Sequence, residues 1–192
     1  TSATPKYIFE GGVQRQVKNI NGYLADGPDI SITRCSKPLS TLPAMVFGSM
    51  PRDGGGLILT ERERHALLAD SPEAEEFVKL YLGSADVING TTRHCLWIED
   101  ADVQAASTID AINRRLQRVR ASREESGAAS TAAYAEHPHR FVQISYKPTE
   151  ALLVPSISSE RREYIPMGYV GPDVVASNKC LAVYDAEPRL YG

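Results

Sequence analysis

The feature that most constrains this chain is one long helical pattern with short strand patterns on both sides of it. From Ala101 to about Ser126, apolar residues recur every three or four positions, as on one face of an α-helix: Val103, Ala106, Ile109, Ile112, Leu116 and Val119. The strand patterns do not alternate regularly with helices. This order predicts an α+β fold, a single mixed domain of several short strands with one long helix and extended loops.

Local signals predict the remaining elements. Lys6 to Ile20, interrupted by Gly11-Gly12, is typical of an entry hairpin, and the other strand candidates are residues 29–34, 44–47, 57–59, 95–98, 141–146, 152–154, 174–175 and 180–184. Thr60 with Glu63 forms a capping-box pattern, which predicts a helix to about Ala69. A second helix is predicted from Ser71-Pro72 to Gly83, with Phe77, Leu80 and Tyr81 as its apolar face.

Composition narrows the class of protein. The 192 residues suffice for one domain with a core, and 42% apolar and 23% charged residues are ordinary for a globular protein. The three cysteines are far apart and form no Cys-x-x-Cys pair, so we expect no disulfide framework and a reducing, cytoplasmic environment. No apolar run has the length of a membrane span, so no membrane partner is expected.

Charge is distributed unevenly. The net charge of −3 argues against a free-standing nucleic-acid binder, which usually carries a basic excess. Between Ala111 and Arg123, however, there are five arginines and no acidic residue. This run is typical of a solvated helix face, and the alternative interpretation is a set of contacts to a phosphate backbone.

The stretch from Pro155 to Gly168 places charged and hydroxyl side chains between two prolines. Because proline fixes its own φ and restricts the preceding residue, we predict a rigid, extended loop and not a helix. Arginines, glutamates, serines and a tyrosine are groups that recognise polar, planar or anionic surfaces. The alternative interpretation is a surface loop with a local Arg–Glu network.

Patterns for other chemistry are weak. Gly54-Gly55-Gly56 lacks the Gly-Lys-Ser/Thr of a phosphate-binding loop, and His137-Pro138-His139 is the nearest approach to zinc-ligand spacing. We therefore predict no metal site. No Gly-x-Ser-x-Gly elbow occurs. A small stand-alone hydrolase using Cys95 or a serine with a histidine remains an alternative, as does a protein–protein scaffold that docks through the long helix.

Two strings in the chain are unusual. One is Met45-Val46-Phe47-Gly48-Ser49-Met50-Pro51 with Asp53-Gly54-Gly55, and the other is Ser158-Ser159-Glu160-Arg161-Arg162 with Tyr164-Ile165-Pro166. With further matches in order along nearly the whole chain, they resemble the target recognition domain of MmeI-like single-chain restriction–modification enzymes. The resemblance implies that residues 1–192 are a DNA target recognition domain with residues 1–28 as its entry segment, whose loops face double-stranded DNA.

The resemblance also implies a longer parent protein. Such a parent carries an endonuclease domain and an adenine-N6 methyltransferase domain, uses S-adenosylmethionine and Mg²⁺, protects host DNA by methylation and cleaves foreign DNA. This chain lacks the Asn-Pro-Pro-Tyr/Phe motif, a glycine-rich methyl-donor motif and a nuclease cluster. We therefore expect it to be non-catalytic and free of cofactors, and to act beside the methyltransferase domain of the same parent.

The expected DNA contacts fall into two groups. The first group lies in the proline-bracketed stretch: Ser158, Ser159, Glu160, Arg161, Arg162 and Tyr164. Arginine pairs with guanine edges, and glutamate accepts from a cytosine amino group or orients an arginine. The second group consists of candidate phosphate contacts elsewhere: Lys37, Arg52, Arg93, Arg140 and Lys147.

Overall fold

The structure is a computed structural model that describes residues 5–31, 33–34 and 41–190. The chain divides into two compact units, residues 1–40 and residues 41–192. Helices and strands are mixed along it without regular βα alternation, which confirms the predicted α+β class. The assignment of residues 1–28 as an entry segment to a 1–192 recognition domain stays a prediction.

The first unit is built on a hairpin. Strands β1 (Lys6–Glu10) and β2 (Val13–Val17) pair antiparallel, as predicted, around Gly11-Gly12, where both glycines have positive φ. In the described part of 29–34 no strand forms, so that prediction was wrong. Alternation alone does not make a strand when no described neighbour supplies a hydrogen-bonded partner.

The second unit contains the remaining elements. Its strands are β3 (Met45–Phe47), β4 (Ile58–Thr60), β5 (Val78–Leu82), β6 (Arg93–Leu96), β7 (Ala151–Pro155), β8 (Gly168–Val170), β9 (Val174–Ala176) and β10 (Cys180–Tyr184). Its α-helices are α1 (Glu61–Asp70), α2 (Ser84–Asn89), α3 (Val103–Thr108), α4 (Asp110–Glu124) and α5 (Ala129–Ala132). Short 3-10 helices cover Pro72–Phe77, Asp100–Asp102 and Pro188–Leu190.

Two four-stranded sheets organise this unit. One has the order β3-β10-β7-β8 and is antiparallel throughout, and the other has the order β4-β6-β5-β9, with β5 and β9 parallel. The chain passes directly from β9 in one sheet to β10 in the other. At this crossing Ser49 bridges Ser177, and its N–H donates to the carbonyl oxygen of Ala176 at 2.7 Å.

Helix α4 is stabilised by burial of its apolar side chains in the largest core cluster. Ile112, Leu116 and Val119 are buried together with residues of α1 and of the β4-β6-β5-β9 sheet, which confirms the predicted apolar stripe. Helix α1 begins as predicted, because Thr60 accepts from the Glu63 N–H while the Glu63 carboxylate accepts from the Thr60 N–H.

The predicted long helix is interrupted before α4. Ile109 is extended, with φ −83° and ψ 107°, so α3 and α4 are separate helices. The hydroxyls of Ser107 and Thr108 donate to the Val103 and Ala105 carbonyl oxygens at 2.6 and 2.7 Å, at the end of α3. Such side-chain bonds compete with continuation of a helix.

Two further predictions were wrong. Residues 71–83 form a 3-10 helix followed by β5 instead of one helix, because β5 pairs with β6 on one side and with β9 on the other. This tertiary pairing outweighs a helical spacing. Residues 141–146 are not a strand, and only Gln143 bridges Met50.

Strand β3 lies at the edge of its sheet. It pairs with β10 on one side, and its three side chains are exposed: Met45 at 50%, Val46 at 38% and Phe47 at 56%. Among the described strands, none pairs with its other edge.

Candidate functional site

The loop of residues 156–167 projects from the antiparallel sheet. It joins β7 to β8, which are paired up to Leu153 opposite Gly168. The loop contains bends and one turn but no helix, as predicted from its prolines, and residues 156–165 are all exposed. A 12-residue segment between two paired strands, without regular structure of its own, is typical of a functional loop on a rigid support.

The start of this loop is held by hydroxyl groups. The Ser156 N–H donates to Ser84 Oγ at 3.1 Å, and Ser156 Oγ donates to the Lys179 carbonyl oxygen at 2.7 Å. Ser84 Oγ donates to the same carbonyl oxygen. The loop therefore leaves the sheet from a point fixed by α2 and by the turn before β10.

The charged side chains of the loop are open to solvent. Glu160, Arg161, Arg162 and Glu163 are exposed, and none of them forms an ion pair with any residue that the structure describes. The alternative interpretation, a local Arg–Glu network, therefore has no ion pair among the described residues to support it. Ser159 shapes the turn instead, since its Oγ accepts from the Arg161 N–H at 3.2 Å and its carbonyl oxygen accepts from the Arg162 N–H at 3.0 Å.

Apolar side chains accompany these charges. Ile157 is 73% exposed, Tyr164 78% and Ile165 59%. Ser158 is exposed as well, so all six first-group residues lie on one accessible loop. The loop thus offers guanidinium donors, carboxylate acceptors, hydroxyls and apolar contacts together, which is the set of groups that base-pair edges engage.

Arg93 is engaged within its own unit. Its Nε and Nη2 donate to the buried carboxylate of Asp86, with Nη2 2.5 Å from Oδ2, and its guanidinium lies 5.4 Å from the ring centroid of Tyr81. Burial acts to raise the pKa of Asp86, but hydrogen bonds from Arg93, Gly83 and Thr91 outweigh it and hold that pKa below its ordinary value. This geometry gives Arg93 a structural role.

Two other second-group residues form exposed ion pairs. Arg140 Nη1 lies 3.2 Å from Asp100 Oδ2, and Lys147 Nζ lies 3.0 Å from Asp185 Oδ2. Ion pairs this exposed contribute little to the free energy of folding, so the cation can exchange its carboxylate partner for another anion. Both cations are therefore accessible to a phosphate group.

Arg52 has a strained backbone just before the turn at Gly54-Gly55. Its φ of +45° is unusual for a residue with a side chain, and its Nη1 donates to Thr131 Oγ1 at 2.8 Å. Its side chain forms no ion pair with the described residues. Lys37 lies outside the described residues.

The arginine run of α4 divides into different environments. Arg115 pairs with Glu63 at 2.7 Å and donates to the Gly56 carbonyl oxygen, and three others are exposed: Arg114, Arg118 and Arg120. Arg123 belongs to the run interpreted from sequence as a solvated helix face, but it is fully buried. Its spacing of four residues from Val119 was the signal that could have placed it on the buried face.

The nucleophile alternative finds no support in Cys95. This residue is fully buried in the largest core cluster, and burial raises the pKa of its thiol. A buried thiol of raised pKa is a packing residue and not a nucleophile. His139 Nε2 lies 2.8 Å from Asp100 Oδ1, and the described residues contain no group of three or more His, Cys, Asp or Glu side chains that could hold a metal ion.

The scaffold alternative required α4 to dock on a neighbouring domain. Its apolar side chains are instead buried in the core of its own unit, so the helix offers a partner no free apolar stripe. Within the described ranges, no helix combines the length and the apolar character needed to cross a bilayer.

Comparison with known proteins agrees with the loop chemistry. Residues 26–192 match the family model described as "MmeI, target recognition domain". The chain is 38% identical over 187 residues to DNA methyltransferase A of Bacillus subtilis (strain 168), covering 97% of this chain and 21% of that protein. It also matches the structure of the type IIL restriction–modification enzyme MmeI in complex with DNA, with a TM-score of 0.80 and 32% identity, over 100% of this chain and 26% of that one.

Proposed function

Because this chain belongs to the family of MmeI target recognition domains, we propose that it binds double-stranded DNA sequence-specifically. In this proposal it positions the target adenine for N6-methylation by a methyltransferase domain of the same full-length protein. The chain spans 21% of the length of DNA methyltransferase A and 26% of the MmeI chain. Methyl transfer, endonuclease activity and the protection of host DNA are therefore assigned to other parts of the full-length protein.

The observation that carries the proposal is that the charged side chains of the 156–167 loop are exposed and form no ion pairs with the described residues. Arg161 and Arg162 are exposed and unpaired among the described residues, although Glu160 and Glu163 are their neighbours in sequence. Unpaired guanidinium groups on a loop with a fixed start can form bidentate hydrogen bonds with guanine. The Glu160 carboxylate can accept a hydrogen bond from a cytosine amino group. We assign Ser158, Ser159 and Tyr164 to phosphate oxygens or base edges.

Basic residues outside the loop are also proposed to contribute to the electrostatic attraction for DNA. We assign Arg52, Arg140 and Lys147 to contacts with phosphate groups, which fix register without reading sequence. The net charge of −3 limits what this chain contributes alone, so further basic surface is expected on the remainder of the full-length protein.

Cofactors belong elsewhere in this proposal. The described residues offer no metal-ligand cluster, and the sequence has no glycine-rich methyl-donor motif. We assign S-adenosylmethionine and Mg²⁺ to the methyltransferase and endonuclease domains of the full-length protein. We place the protein in the cytoplasm, where host DNA and invading DNA are both accessible.

The test is Arg162→Ala in the full-length protein, with Arg62→Ala as the control. Arg62 is exposed on α1 and forms no ion pair with the described residues. Loss of a bidentate contact to guanine relaxes one position of the methylated site by about 1–3 kcal/mol, a factor of about 5 to 150, whereas the control leaves site choice unchanged.

The measurement is sequencing of methylated adenines on a genomic DNA substrate. Unchanged site choice together with unchanged salt dependence of binding would remove Arg162 from the interface.

A further inference from the structure

Arg123 is a buried cation whose guanidinium donates hydrogen bonds to backbone oxygen atoms and to no side chain among the described residues. It is fully buried, and every one of its five N–H donors is used. Nε donates to Arg52 O at 3.0 Å, Nη1 to Tyr134 O at 3.0 Å and His137 O at 2.8 Å, and Nη2 to Pro51 O at 2.8 Å and Arg140 O at 2.7 Å.

These oxygen atoms belong to two segments far apart in sequence, residues 51–52 and residues 134–140. Because Pro51 O and Arg140 O contact the same nitrogen, the two backbones are adjacent at that point. Next to it, Met50 and Gln143 exchange N–H···O bonds of 2.9 and 3.1 Å. Arg123 therefore links the segment that carries Arg52 to the segment that carries Arg140 through hydrogen bonds to both backbones.

Stability alone is a poor reason for an arginine at this position. Burying a charge costs several kcal/mol, and an apolar side chain of similar volume often serves a core as well or better. What arginine adds is a planar fork with five donors of fixed direction, which no other side chain offers. The hydrogen bonds from Arg123 therefore fix the backbone geometry of the two segments, including the positive φ of Arg52.

We propose that Arg123 is a positioning residue for DNA binding: by fixing both backbones it places the side chains of Arg52 and Arg140 against phosphate groups. The inference rests on the proposed DNA-binding function. It predicts that the contributions of Arg52 and Arg140 depend on Arg123, although Arg123 itself is sealed from DNA.

The test is the salt dependence of binding by the full-length protein to fluorescein-labelled duplex DNA of mixed sequence, followed by fluorescence anisotropy. Each phosphate contact contributes about 0.9 to the slope of log K against log salt. Arg52→Ala with Arg140→Ala is expected to reduce the slope by about 2. Arg123→Met is expected to reduce it by the same amount, and adding it to the double variant changes the slope no further.

A second variant separates placement from core packing. Arg123→Lys keeps the buried charge but has only three donors, so it is expected to reproduce the reduced slope while retaining a cooperative unfolding transition. Arg62→Met, which removes an exposed positive charge, is the matched control with a wild-type slope.

Wild-type slopes for both Arg123 variants, or for the Arg52 and Arg140 double variant, would overturn the proposal. Failure of both Arg123 variants to fold would overturn it too, since Arg123 would then serve core stability. The proposed function fails separately, if the wild-type protein shows no salt-dependent binding to the duplex.

Discussion

Replacing Asp86 with alanine is expected to destabilise the second unit severely. Asp86 is only 4% exposed and accepts hydrogen bonds from the Gly83 N–H at 2.8 Å, from Thr91 Oγ1 at 2.9 Å and from two nitrogens of Arg93. The substitution removes all of these acceptors at once. It leaves a buried N–H without a partner and a half-buried guanidinium without its counter-charge.

The magnitude follows from these losses. An unsatisfied buried N–H costs about 1–3 kcal/mol. Breaking a fully buried ion pair costs about 3–5 kcal/mol, but the side chain of Arg93 is 38% exposed and regains water, so only a fraction of that cost applies. We expect a total loss of about 3 kcal/mol in the free energy of unfolding, which lowers Tm by about 6–12 °C for a unit of this size.

The loss depends on pH in a defined direction. The pKa of Asp86 is lowered in the folded protein, so its stabilising contribution is fully present above the unfolded value near 3.8 and is lost as pH falls through the folded value. The difference between wild type and Asp86→Ala is therefore constant above about pH 5 and shrinks below the unfolded pKa.

The assay is urea unfolding followed by fluorescence of Trp97, the single tryptophan, which packs against the main core cluster. Asp70→Ala is the control, because Asp70 is exposed at the end of α1 and forms no ion pair with the described residues. We expect the control to stay within about 0.5 kcal/mol of wild type. A loss below about 1 kcal/mol at neutral pH, or a difference that grows on acidification, would refute this account of Asp86.

Two further predictions concern close packing and the thiol. Gly48→Ala places a Cβ onto the backbone carbonyl oxygens of Ala176 and Ser177 and should lower the free energy of unfolding by about 2 kcal/mol or more, whereas Gly127→Ala, with open space around it, should be neutral in the same urea titration. Cys95 should resist iodoacetamide in the native protein and react at a rate set by unfolding; rapid native-state alkylation of the Cys95 peptide, measured by mass spectrometry, would contradict its assignment to the core.

Features set by local chemistry were predictable from the sequence. The capping box at Thr60 starts α1, the paired glycines turn the first hairpin, and the prolines keep the 156–167 loop out of a helix, each through contacts within a few residues. Strand β5 was missed because its state depends on β9, which is distant in the chain and supplies half of its pairing.

The candidate site shows the same division. The composition and bracketing of the 156–167 loop identified a polar surface, and its exposure follows from those residues. The environment of Arg123 was not predictable in this way, because its acceptors come from two segments, residues 51–52 and 134–140, that only the folded chain brings together. Helical spacing places it on a buried face but says nothing of carbonyl oxygens.

The exposed edge of β3 has a practical consequence. Three consecutive apolar side chains lie beside a strand edge that no described strand pairs with, and such an edge is a template that a second molecule can extend. We expect preparations of the isolated chain to self-associate as concentration rises. The substitution Val46→Lys, at the position opposite Ala182 of β10, would place a charge on this edge and reduce such assembly.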